Sequence, residues 1–159
     1  MSDDRLLAVL DTQVWIDIYL REAIIPAGNP YTAIFEAFID DEFVPIYSRP
    51  TLDEVTYMLT KSHAVAQHYQ IDPQEAQAFV DGIFYSCGEY VEIDGTLRVS
   101  SDSKDDCFIE TAIKGNAHYL VREDKHFRET AVTEILRANG VRGVFPQQFL
   151  KVLKERRGT

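Results

Sequence analysis

Basic charge is what this sequence has least of. Sixteen lysines and arginines face 26 aspartates and glutamates, giving a formal net charge of −10. A protein that holds nucleic acid by charge alone carries a basic footprint, so the overall balance argues against that class. There is no run of 18 or more apolar residues, which excludes a transmembrane helix. The opening MSDDRLLAVLD lacks the basic start, long apolar core and small-residue cleavage site of a secretory signal, so a cytoplasmic protein with no membrane partner is expected. Only two cysteines occur, Cys87 and Cys107, without paired spacing. They fit neither a zinc motif nor a disulfide scaffold, and read as reduced thiols. Repeats, low-complexity tracts and Pro/Gly/Ser-rich linkers are also missing, so residues 1–159 are expected to form one domain.

What is present is an alternation of strand and helix signals. Leu6–Leu10 is an unbroken apolar run ending at Asp11, as suits a strand buried on both faces of a parallel sheet. A short helix is expected over Val14–Leu20 and a loop through Pro26, Gly28 and Pro30. A second helix carries Ile34, Phe35, Phe38 and Ile39. Phe43–Tyr47 reads as a strand, and Pro50 as the first helical position of the next helix. Asp72–Pro73–Gln74–Glu75 is a helix start, with an N-capping acid, proline at the first position and glutamate at the third. Further strands are expected at Tyr90–Ile93, His118–Val121 and Arg142–Phe145. Helices are expected over Asp105–Lys114 and from Pro146 to about Glu155, followed by a frayed basic KERRGT tail. The pattern predicts a three-layer α/β/α fold with a mostly parallel five-stranded sheet. Ligands of such sheets sit beyond the carboxyl ends of the strands.

Acidic residues collect at those ends. Asp11 follows the first strand directly, and Asp124 follows the fourth. Asp102, Asp105 and Asp106 crowd the start of a helix, and Glu54 lies early in the helix after the second strand. If the first and fourth strands are neighbours, Asp11 and Asp124 face each other, with Asp105 and Glu54 closing the cup. Converging carboxylates repel one another without a cation. They suit Mg²⁺ or Mn²⁺, hard ions that prefer oxygen ligands and can activate water for phosphodiester hydrolysis. Each acid also has a structural reading. Asp105 and Asp106 favour a helix N-terminus, Asp102 suits an N-cap or turn, Glu54 could close a capping box with Thr51, and Asp124 could be a solvated turn acid. Asp11 is hardest to read that way, since a carboxylate at a buried sheet edge is costly unless paired or metal-bound. Acids outside such a cup would suit a basic partner segment.

The segments LLAVLDTQVWIDIYL, TLDEV and SDSKDDCFIETAIKGNAHYLVREDKHF resemble, in order and spacing, the PIN-domain family and within it the toxin-like, VapC-type branch. The resemblance spans nearly the whole chain. It implies a magnesium- or manganese-dependent endoribonuclease, the toxin of a prokaryotic toxin–antitoxin pair, with RNA as substrate, a protein antitoxin as partner and a homodimer as the expected assembly. Asp11, Glu54, Asp105 and Asp124 match its acidic quartet. Asp102 matches an additional acid, and Thr12 a hydroxyl that supports the first aspartate. Lys104, Arg122, Lys125 and His126 are placed to contact phosphate, or are ordinary solvated surface. The chain departs from the family in having Gln13 for asparagine and Arg122–Glu123 where a threonine or serine and often a glycine precede the last aspartate. Arg122 could pair with a carboxylate or contact RNA phosphate, and Glu123 could compete as a ligand. A PIN domain that binds RNA or protein without cutting is the alternative. A phosphatase-like reading fails at Gln13, where a second acid would be needed.

Overall fold

The computed structural model describes residues 5–21, 23, 28–123 and 129–158. Its sheet has five strands in the order β3-β2-β1-β4-β5, with every pairing parallel. The strands are β1 (Leu6–Leu10), β2 (Phe43–Tyr47), β3 (Glu89–Tyr90), β4 (Tyr119–Val121) and β5 (Arg142–Val144). The helices are α1 (Thr12–Tyr19), α2 (Pro30–Ile39), α3 (Arg49–Thr60), α4 (Pro73–Cys87), α5 (Ser103–Lys114), α6 (Thr130–Ala138) and α7 (Pro146–Arg157). A π-helical turn, His63–Gln67, joins α3 towards α4.

Successive side chains of a strand point to opposite faces, and β1 shows what this does with an unbroken apolar run. Leu6, Ala8 and Leu10 enter a core shared with α1, α2, α3, α4 and α7. Val9, with Leu7 beside it, enters a second core shared with α5 and α6. Both faces are covered, so the molecule has the α/β/α layering expected from the sequence, and the sheet expected to be mostly parallel is parallel at every pairing. From central β1 the order runs out through β2 and β3 on one side and through β4 and β5 on the other. The switch point therefore lies between β1 and β4, where Leu10 pairs with Val121.

Several boundaries differ from the sequence expectation, each for a local reason. The third strand is only Glu89–Tyr90. Beyond it the backbone leaves the sheet for two buried acids of α5. Glu110 accepts the N–H groups of Asp94, Gly95 and Leu97 at 2.7–3.1 Å, and Asp106 accepts those of Val99 and Ser100 at 3.0 and 2.8 Å. Helix α3 begins one residue early, with Ser48 as N-cap and Arg49 as first residue. The basic tail is helical to Arg157, whose Nε lies 2.7 Å from a Glu42 carboxylate oxygen. Helix α6, which buries Val132 and Leu136, has no counterpart in the sequence expectation.

Candidate active site

Asp11 ends β1 and starts α1. Its N–H donates to the Val121 carbonyl (3.0 Å), fixing it to the neighbouring strand. Its Oδ1 accepts the Val14 N–H at 3.0 Å, making it the N-cap of α1. The side chain is buried, and its second oxygen meets a guanidinium. Arg122 Nε lies 3.4 Å from Asp11 Oδ2, and Arg122 Nη2 lies 2.6 Å from Asp105 Oδ2. Arg122 is one residue past β4, its N–H bonded to the Val144 carbonyl (2.9 Å), and its side chain is 0% exposed. One cation thus bridges the end of β1 and the first turn of α5.

Burial dominates the electrostatics. It pushes the Asp11 carboxyl up to about 7, against the Val14 N–H and the Arg122 charge, with Asp105 adding to the rise. Burial also raises Glu54, from the second turn of α3. Lys104 and the Thr12 hydroxyl oppose that rise, whereas Asp105 and Asp102 reinforce it. These mutual influences place Asp11, Asp105 and Glu54 around one region at the carboxyl edge of the sheet. Cys107 borders it. Burial, Glu54 and Asp105 push its thiol up to about 12, which leaves it without nucleophilic character at neutral pH.

The other sequence candidates separate on inspection. Asp102 is the N-cap of α5, accepting the Lys104 N–H at 3.0 Å. Asp106, one residue from Asp105, is turned the other way and holds the 99–100 backbone. The capping box of α3 joins Ser48 and Thr51, with the Ser48 N–H donating to Thr51 Oγ1 at 2.9 Å. Glu54 is therefore not needed there. The Thr12 hydroxyl, buried and without a well-formed hydrogen bond, lies beside Glu54 and not on Asp11 as expected. Lys104 is exposed at the mouth of the site. Asp124, Lys125 and His126 lie outside the described residues.

Arg122 is the residue whose placement the sequence left most open. The surface reading, whether as solvated side chain or phosphate contact, does not describe it, because its charge is spent internally on two carboxylates. Gln13 likewise points along α1, donating to Asp17 at 3.1 Å and not into the cup. Glu123 also turns to Asp17. Burial and a hydrogen bond with that carboxyl raise Glu123 to about 9.

Hard carboxylate oxygens around a buried edge are the donor chemistry of a divalent-cation site, and the raised Asp11 marks a place that calls for positive charge. Arg122 meets that demand in the ligand-free molecule. Among the described residues, no three Asp, Glu, His or Cys side chains are close enough to hold an ion by themselves. The fourth carboxylate expected at this edge, Asp124, lies outside them.

Known proteins share the fold that carries these carboxylates. A family model described as PIN domain matches residues 7–126. The chain belongs to the PIN-domain family. The matched span takes in Asp11, Glu54, Asp102, Asp105, Arg122 and Glu123. Among solved structures, the chain is similar to one in the crystal structure of VapBC2 from Rickettsia felis bound to a DNA fragment from its promoter. The TM-score is 0.51 at 18% identity, covering 87% of this chain and 98% of that one. At that identity the likeness concerns the PIN fold. No curated protein matches the chain. None of the described helices is long and apolar enough to cross a membrane.

Proposed function

We propose that this PIN domain is a divalent-metal-dependent endoribonuclease acting as the toxin of a toxin–antitoxin pair. The observation that carries the reading is Asp11, a buried carboxylate at the end of the central strand, facing Asp105 across a shared cation with Glu54 alongside. In the reading, Asp11, Asp105, Glu54 and Asp124 hold Mg²⁺ or Mn²⁺, with Asp102 near enough to join through water. The ion would supply an activated water and charge stabilisation at the phosphorus.

The chain's own residues do the rest. Asp11 is fixed in orientation by its capping bond to Val14, so one oxygen is committed to the helix and one to the site. Asp105 is presented by the first turn of α5, and Glu54 by α3. The Thr12 hydroxyl favours the charged form of Glu54. Lys104, with Lys125 by its nearness in sequence to Asp124, would meet the RNA backbone at the rim. Residues 1–159 are taken as one domain, β5 and α7 completing the sheet beyond the matched span. The net charge of −10 suits a basic antitoxin segment, and a homodimer remains part of the proposal. Cleavage of RNA in Mg²⁺ or Mn²⁺ tests the reading. Activity abolished by EDTA and by Asp11→Asn is expected, and cleavage that survives both refutes it.

One observation favours a second reading, a PIN domain that binds RNA or protein without cutting. Arg122 already neutralises Asp11 and Asp105, and a permanent guanidinium there would leave no place for a metal. RNA retention by the wild type, with no cleavage at any metal concentration, would support it.

A further inference from the structure

We infer that Arg122 is a built-in competitor of the metal: its guanidinium holds the position between Asp11 and Asp105, and a divalent cation enters only by displacing it. The inference rests on the reading of these acids as a metal site, and adds how occupancy of that site is controlled.

Three observations converge. First, the contacts are those a cation at this edge would make, with Arg122 nitrogens at 2.6 Å from Asp105 and 3.4 Å from Asp11. Second, the side chain is wholly buried. It is held in place and cannot act as a surface charge that visits the cup. A guanidinium keeps its charge at any pH a protein survives and offers a planar fork of donors, so it cannot vacate the position by losing a proton. Third, the backbone of Arg122 is tied to β5 through the Val144 carbonyl. The side chain must rotate out alone, with the sheet left intact. The two carboxylates cannot serve the guanidinium and a metal in this geometry at once, because a monovalent and a divalent cation a few ångströms apart repel strongly. A threonine or serine, the residue the family resemblance leads one to expect at this position, would bring no such rival charge.

The consequence is a site that rests closed to metal. Wild-type protein binds Mn²⁺ weakly, and removing the guanidinium uncovers the acids.

The test is Mn²⁺ titration, followed by electron paramagnetic resonance of the free ion and by calorimetry, with RNA cleavage on the same samples. The proteins are wild type, Arg122→Thr, Arg122→Lys and the double variant Arg122→Thr with Asp11→Asn. Arg122→Thr should bind Mn²⁺ about tenfold more tightly or better, since unit charges at this range interact by more than that factor. Adding Asp11→Asn should cancel the gain. Arg122→Thr removes the cation that buried Asp11 and part-buried Asp105 share. If it melts below the assay temperature without Mn²⁺, Arg122→Lys, with a shorter reach to only one acceptor at a time, answers the question by a gain in the same direction. Equal affinity in wild type and variants overturns the inference while leaving a metal-dependent nuclease standing. An absence of binding in every protein overturns the inference and the metal site together. Tighter binding without RNA cleavage in any protein upholds the inference and refutes the nuclease.

Discussion

Replacing Asp11 by asparagine should stabilise the metal-free protein at alkaline pH. The carboxyl rises from an ordinary value of 3.8 to about 7 in the folded state, mainly through burial. Between those values the native state binds a proton that the unfolded chain does not. Stability is therefore full below about pH 4 and is lost as pH rises through 7. Each pH unit by which a pKa moves on folding corresponds to about 1.4 kcal/mol. This rise therefore sets a ceiling of roughly 4 kcal/mol on the charged carboxylate's cost at about pH 8. Asparagine is as good an N-cap as aspartate, so the Val14 bond survives. The attraction of Arg122 for the carboxylate is already contained in that figure, since it opposes the rise. The expectation is a gain of up to about 4 kcal/mol at pH 8, equivalent to several degrees in melting temperature for a chain of this size, shrinking towards zero at about pH 4. Thermal melts in EDTA at several pH values would measure it. A variant that melts below wild type at pH 8, or by a pH-independent difference, refutes burial as the cause of the raised carboxyl.

Asp106→Asn removes the charged acceptor for the Val99 and Ser100 N–H groups. It should cost about 2 kcal/mol in urea unfolding and speed hydrogen exchange at those two amides, with RNA cleavage per folded molecule unchanged. At Gly115, an added Cβ would stand 2.6 Å from the Ile46 side chain. Gly115→Ala should therefore destabilise by about 1–3 kcal/mol, read by the same unfolding. Of the two thiols, exposed Cys87 should react with a disulfide reagent at pH 8. Cys107, held up to about 12, should remain unmodified until the protein is unfolded, and equal rates would contradict its placement.

The strands that the sequence makes plain are those whose signal is local. LLAVL could hardly be anything but a doubly buried strand, and FVPIY coincides with β2 residue for residue. The third strand is shorter than its sequence suggests because its fate depends on Glu110 and Asp106, acids further along the chain that capture the backbone through hydrogen bonds from α5. Helix α6 is legible locally as well, since Val132, Ile135 and Leu136 fall at helical spacing. In the site, Asp11, Glu54 and the Asp105–Asp106 pair can be picked by position relative to strand ends and helix starts, and the family resemblance singles out Asp105 from Asp106. For Arg122 the sequence offers carboxylate pairing, phosphate contact and a solvated surface side by side, and only its neighbours in space decide for the first. The Asp17–Glu123 pair is hidden for the same reason. Its members are far apart in sequence and meet only through the β1–β4 pairing.

That pairing, Ala8 against Tyr119 and Leu10 against Val121, also bears on the order of events during synthesis. Strand β1 leaves the ribosome well before its neighbour on the acidic side, which is made only after more than a hundred further residues. Until then Asp11 has no Asp105 opposite it and no Val121 to fix its backbone. Long-range pairing is slow as well as late. A nascent chain therefore carries the acids of the candidate site without the site itself, which assembles only when nearly the entire fold has emerged.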